Sequence, residues 1–138
     1  MLSKAPKPLN MILCEDIRQE SGHKVSLIGV YTEGLIFQIK DHKSPTPMRA
    51  QQLAFYASFE PLVQDATIRI RLLDPTGVTI LETQEGLMPK SDRITVVAFK
   101  TIGLEFKTVG KHKVEYSFDD KKVPFNFNIS QQFAESLE

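Results

Sequence analysis

The stretch HKVEYSFDDKKVPFNFNI, His112 to Ile129, alternates apolar and polar residues with a period of two, through one turn and back again. Successive side chains of an extended strand point to opposite faces. His112, Val114, Tyr116 and Phe118 therefore share one face, and Lys111, Lys113, Glu115 and Ser117 the other. Asp119 and Asp120 turn the chain, and Val123, Phe125, Phe127 and Ile129 then alternate with Lys122, Pro124, Asn126 and Asn128. A helix would scatter these apolar residues around its circumference, so the pattern predicts a hairpin with one buried face. Pro124 has no N–H to donate, which places the returning strand at a sheet edge or at an irregularity.

The same rhythm recurs upstream. Leu53, Phe55, Ala57 and Phe59 alternate with Ala54, Tyr56, Ser58 and Glu60, and Ile68, Ile70 and Leu72 with Thr67, Arg69 and Arg71. The tetrapeptide DPTG, Asp74 to Gly77, suits a β-turn leading into a partner strand from Val78 to Leu81. The run ITVVAF, Ile94 to Phe99, is apolar on both faces and reads as a central strand. Val25–Tyr31 and Leu35–Ile39 flank Thr32, Glu33 and Gly34, which suggests a further hairpin. With Met11–Ile17, about eight or nine short strands emerge at the spacing of a sandwich. The longest non-periodic pieces are Asp41–Pro47 and Glu85–Asp92, and SQQFAESLE from Ser130 reads as a short capped turn.

A chain of 138 residues can bury its own core, so one domain over 1–138 is expected, with 1–8 and 131–138 as candidate flexible tails. Lysine plus arginine and aspartate plus glutamate stand at 17 each, and this balance argues against nucleic acid or an anionic membrane as partner. The single cysteine, Cys14, has no internal disulfide partner and points to a reducing, cytoplasmic setting.

One segment gathers reactive groups. CEDIRQESGH carries Cys14, Glu15, Asp16, Arg18, Glu20 and His23 just before a strand. A zinc site needs three or four converging ligands, usually in paired short spacings, and none occur here. Cys14 beside Ile12 reads as a buried small hydrophobe. The charges read as a solvated rim, with Arg18 paired to a neighbouring carboxylate and Asp16 capping backbone groups where the strand leaves the sheet. His112 sits on an apolar stripe and reads as a hydrogen-bonded core or rim histidine, while His23 and His42 fall in loops. No nucleophile elbow or phosphate-binding glycine motif is present. The residues therefore name no catalytic, cofactor-binding or metal site, and no cofactor.

The segment ILCEDIRQESGHKVSLIGVY, with Gly22 and Lys24 leading into a strand ending Gly29-Val30-Tyr31, resembles the start of a family of uncharacterised bacterial proteins. The prolines Pro45 and Pro47, the DPTG turn, and Gly110 before the strand holding Tyr116 fit the same outline. The resemblance implies an immunoglobulin-like β-sandwich and no established activity. The expected fold is thus all-β, an antiparallel two-layer sandwich of immunoglobulin-like type. Two functions follow from it. The favoured one is a non-catalytic interaction or structural module with a protein partner, or a homo-oligomer formed through an edge strand. The alternative is a small hydrolase or metal-dependent enzyme using Cys14, Glu15, Asp16 and His23.

Overall fold

A computed structural model describes residues 1–39 and 47–133. Among them the chain forms ten strands in two sheets and no helix, so no helix is long and apolar enough to cross a membrane. Sheet I holds β1 (Pro8–Glu20), β2 (Lys24–Val30), β4 (Met48–Phe59) and β8 (Thr95–Phe106), in the order β2-β1-β4-β8 with every neighbour antiparallel. Sheet II holds β3 (Leu35–Ile39), β5 (Ala66–Leu73), β6 (Thr79–Glu82), β9 (Gly110–Phe118) and β10 (Lys121–Phe133), in the order β3-β10-β9-β5-β6. The short β7 (Gly86–Met88) pairs with the start of β5, and β6 with its end.

The alternating stripes face each other across the two sheets. Leu13, Leu53, Phe55, Ala57, Phe59 and Val97 from sheet I pack with Ile70, Leu72, Val114, Tyr116, Phe118, Val123, Phe127 and Ile129 from sheet II. Phe59 meets Tyr116 and Phe118 edge-on, with centroids 5.8 and 4.9 Å away, and Phe55 stacks on Phe99 at 4.6 Å. Such geometries suit the ring quadrupoles and add to the area that each ring buries. His112 is fully buried between Phe106 and Phe127, and its Nδ1 lies 3.0 Å from the Gly110 carbonyl oxygen. It is a core histidine, as its place on the stripe suggests.

Turn chemistry closes the strands where glycine and aspartate predict. In the β5–β6 turn the Asp74 carboxylate accepts from the Thr76 amide and hydroxyl and from the Val78 amide. These donors, the Thr76 hydroxyl foremost, hold the Asp74 carboxyl below its usual range. Asp119, at φ 55°, turns β9 into β10. Its carboxylate accepts from the Leu2 amide at 2.8 Å and the Thr67 amide at 2.9 Å, which clasps the N-terminus and β5 to the hairpin. Leu2 is buried, within the segment 1–8 expected as a tail.

Several expectations need correction. β2 and β3 form no hairpin: Thr32 to Gly34 carry the chain from sheet I to sheet II, where β3 runs parallel to the end of β10, Ile129 against Leu35. The sheets are therefore not wholly antiparallel. Period two shows which residues share a face but not which strand lies alongside. β8 is an edge strand and not a central one, since β4 is its only strand partner among the described residues. Gly86–Met88, expected as loop, pairs with β5, and Ser130–Phe133, expected as a capped turn, continue β10 as strand because β3 offers a partner there. The Pro124 expectation agrees with the pairing. Lys121–Asn128 pair with β9, and β3 joins on the other side at Ile129. His42 and Pro45 lie in 40–46, outside the described residues, as does 134–138 of the expected C-terminal tail.

Gly34 makes the crossover possible. It sits at φ +80°, and a Cβ there would fall on the Asn128 carbonyl oxygen. Gly22, in the β1–β2 turn at φ +83°, has open space around it. Left-handed backbone costs a substituted alanine about 1–2 kcal/mol at either site. Gly34→Ala should therefore lose more stability in urea unfolding than Gly22→Ala, by about 1 kcal/mol or more from the added overlap. Equal losses would show that the close approach to Asn128 does not constrain the crossover.

Candidate functional site

Sheet I curls where β1 parts from β4. Pairing of β1 with β4 ends at Cys14 opposite Ala54, whereas β1 stays paired with β2 to Glu20 and β4 stays paired with β8 to Met48. Beyond that point Ile17 still packs on Ala54 and Cys14, with Ile12, Val25, Leu27 and Tyr56 around them. Ala54 lies on the face of β4 opposite Leu53 and Phe55, so the β1–β2 hairpin folds over the outer face of sheet I and seals a second, small core.

This curl creates an open cleft of ≈ 710 Å³ between the hairpin, Asp16 to Glu20, and β8 at Ala98, Phe99 and Lys100. Lys100 bridges it. Its Nζ donates to Asp16 Oδ1 at 3.1 Å and to the Ile17 carbonyl at 3.4 Å. The Asp16 carboxylate also accepts from the Ile17 amide at 2.8 Å, the cap expected where the strand leaves the sheet, and Arg18 Nε lies 4.0 Å away. The Lys100 ammonium, more than the Ile17 amide, holds the Asp16 carboxyl below its usual range.

The reactive groups of the opening segment divide among different surroundings. Cys14 is fully buried, as its position beside Ile12 predicts, and burial pushes its thiol up, away from the nucleophilic thiolate. Glu15 lies across Gly29 of β2, where a Cβ would stand 2.6 Å from its Oε2. His23 is exposed in the turn at φ 58°. No three His, Cys, Asp or Glu side chains group to hold a metal among the described residues. Asp16 instead finds Lys100, 84 positions away in the chain and in no shared motif with it. The available signal was that Lys100 alone interrupts the apolar outer face of Val96, Ala98 and Ile102.

A second cleft of ≈ 420 Å³ lies along the crossover, between Met11–Leu13, Val30–Gly34 and Phe125–Asn128. Tyr31 lines it, its amide donating to the Leu13 carbonyl at 2.9 Å. Burial first, then the charges at Glu15 and Cys14, raise its hydroxyl above the ordinary value. On the outer face of sheet II, Arg69 pairs with Glu82 and Glu85, and Glu115 lies between Arg71 and Lys113. Within this charge ladder Glu115 is buried while its partners are partly exposed, and each of these ions has an oppositely charged partner.

Fold and clefts together define an all-β protein of two packed sheets, with a curled hairpin on one face. The chain belongs to DUF6941, a family of unknown function whose model matches residues 9–126. No curated protein matches it.

Two outcomes follow. Cys14 should stay unlabelled by a thiol reagent at neutral pH until the protein unfolds; rapid stoichiometric labelling of the native protein would place the thiol at the surface. Asp16 is depressed in the fold, so its contribution to stability is present above the ordinary carboxylate range, near pH 4, and is lost as pH falls through the lower native value. Asp16→Asn should therefore shallow the acid limb of stability, with the residual slope left to Asp74 and Asp119. Parallel curves for variant and wild type would remove the Lys100 pairing from the account.

Proposed function

We propose that the chain is a non-catalytic, protein-binding module with an immunoglobulin-like sandwich fold, acting in the cytoplasm. Connectivity supports the fold assignment. β4, β5, β8 and β9 alternate between the two sheets, β1 lies in sheet I, and after the crossover β3 runs parallel to the last strand. Immunoglobulin-type sandwiches likewise divide their strands between two packed sheets, with consecutive central strands alternating from one sheet to the other. A lone buried thiol suits a reducing compartment, and equal numbers of cations and anions suit a protein partner better than nucleic acid.

One observation carries the binding role. Along β8 and the residue before it, Ile94, Val96 and Ile102 are 57%, 45% and 87% exposed, on an edge with no strand partner among the described residues. Isolated exposed apolar residues are ordinary, but a row of them along a free edge marks a surface that another chain covers. The polar groups of the neighbouring cleft are engaged with one another, Lys100 with Asp16 and Asp16 with Ile17.

Affinity capture from the native host is the test, with tagged wild type compared with Ile102→Lys, Cys14→Ala and His23→Ala. The lysine variant should keep the wild-type melting temperature and lose the captured protein, whether a second copy or another chain. Cys14→Ala and His23→Ala should retain it. Capture that survives Ile102→Lys and fails with Cys14→Ala or His23→Ala would favour a site built on the opening segment.

A further inference from the structure

Edge strands are protected in most proteins by shortness, proline, charge or a bulge. The other edges are shorter or guarded: β2, at the far edge of sheet I, has 7 residues with Lys24 at its head, β6, β7 and β3 are 4, 3 and 5 residues long, and the open half of β10 carries Lys121, Lys122 and Pro124. β8 has 12 residues and no proline, and across Thr95–Ile102 its one charge is Lys100. Asp16 and the Ile17 carbonyl draw that ammonium back over the sheet, away from the free edge.

The segment is also self-complementary. Read outward from Ala98 in both directions, ITVVAFKTI sets like opposite like at three of four positions, Val97 with Phe99, Thr95 with Thr101 and Ile94 with Ile102, and sets Val96 opposite Lys100. A two-fold axis through an antiparallel strand pair sets residues of equal parity opposite each other on the same face. Any register centred on one residue meets that condition, and centring it on Ala98 brings Thr95 to Thr101 and Ile94 to Ile102. On the outer face the most exposed residue of the row, Ile102, would meet Ile94 of the copy, and Val96 would lie along the aliphatic stem of Lys100. On the inner face Val97 would meet Phe99 and Thr95 would meet Thr101, extending each protomer's core across the junction. No like charges would stand opposite each other.

We propose that the partner on this edge is a second copy of the chain, paired antiparallel through Ile94–Ile102 about Ala98, so that two four-stranded sheets become one of eight. The inference rests on the protein-binding reading and narrows it to self-association, with the outer row Ile94, Val96, Ala98 and Ile102 as specificity determinants. Antiparallel neighbours hold their Cα atoms about 4.5–5.5 Å apart, within reach of a disulfide.

Register can be read by oxidation. Ala98→Cys should give a covalent dimer rapidly, and Val78→Cys, exposed in the β5–β6 turn of sheet II, should not. Ile94→Cys mixed with Ile102→Cys should cross-link faster than either alone. Sedimentation should show a concentration-dependent dimer for wild type. Its dissociation constant should rise roughly tenfold or more in Ala98→Lys, where two ammonium groups oppose each other on the axis. Circular dichroism checks that this variant keeps its β spectrum. A wild type that remains monomeric, or an Ala98→Cys no faster than Val78→Cys, overturns the proposal. Loss of a different captured protein in Ile102→Lys would then still support the binding module, so the two readings fail separately.

Discussion

The contact of Phe59 with Tyr116 and Phe118 binds the two sheets, and the rest of the structure is arranged around it. All three rings are nearly or wholly buried, at the ends of the inner strands β4 and β9 where the two sheets meet. Aromatic pairs of this geometry contribute about 0.5–1.5 kcal/mol beyond the area they remove from water. Exposed ion pairs of the kind along Arg69, Glu82 and Glu85 are worth about 0–1 kcal/mol each. The inward stripes therefore hold the fold, and the charge ladder keeps its outer face soluble. Because β4 and β9 supply these rings, the termini, hairpins and edges are positioned relative to them.

Sheet I departs from a flat layer for a reason found in β1. Cys14 and Ile17 both reach the outer face, so the strand bends as it leaves β4, and the hairpin covers Ala54. Lys100 then ties the hairpin to β8 through Asp16 and the Ile17 carbonyl. The same interaction shapes the larger cleft and clears the cation from the edge of β8. A single ion pair thus links the segment richest in reactive residues to the strand with the least edge protection.

Local pattern made most strands and faces legible in the sequence. The stripe from His112 to Ile129, the DPTG turn and the burial of Cys14 all follow from alternation and side-chain chemistry. Pairing was less legible, because period two is silent about neighbours. Val25–Tyr31 and Leu35–Ile39 look like one hairpin, yet Gly34 allows a backbone approach to Asn128 that sends the second strand to the other sheet. ITVVAF looks central because it is apolar on both faces, and it lies at an edge. The proposed pairing rests on that mismatch, since apolar character beyond what the fold uses is available to another chain. Lys100 was invisible as a partner of Asp16 because 84 residues separate them and the curl alone brings them together.

In the proposed dimer the free edge of β8 is completed by pairing with a second copy. Amide hydrogen exchange, followed residue by residue in dilute and concentrated protein, tests it most directly. Alternate amides of Thr95–Ile102 point towards β4 and should be protected at both concentrations. Those pointing away should exchange quickly when dilute and slow markedly when concentrated, while β4 and β9 stay unchanged. Exchange of the outward amides that is rapid and independent of concentration would contradict the claim.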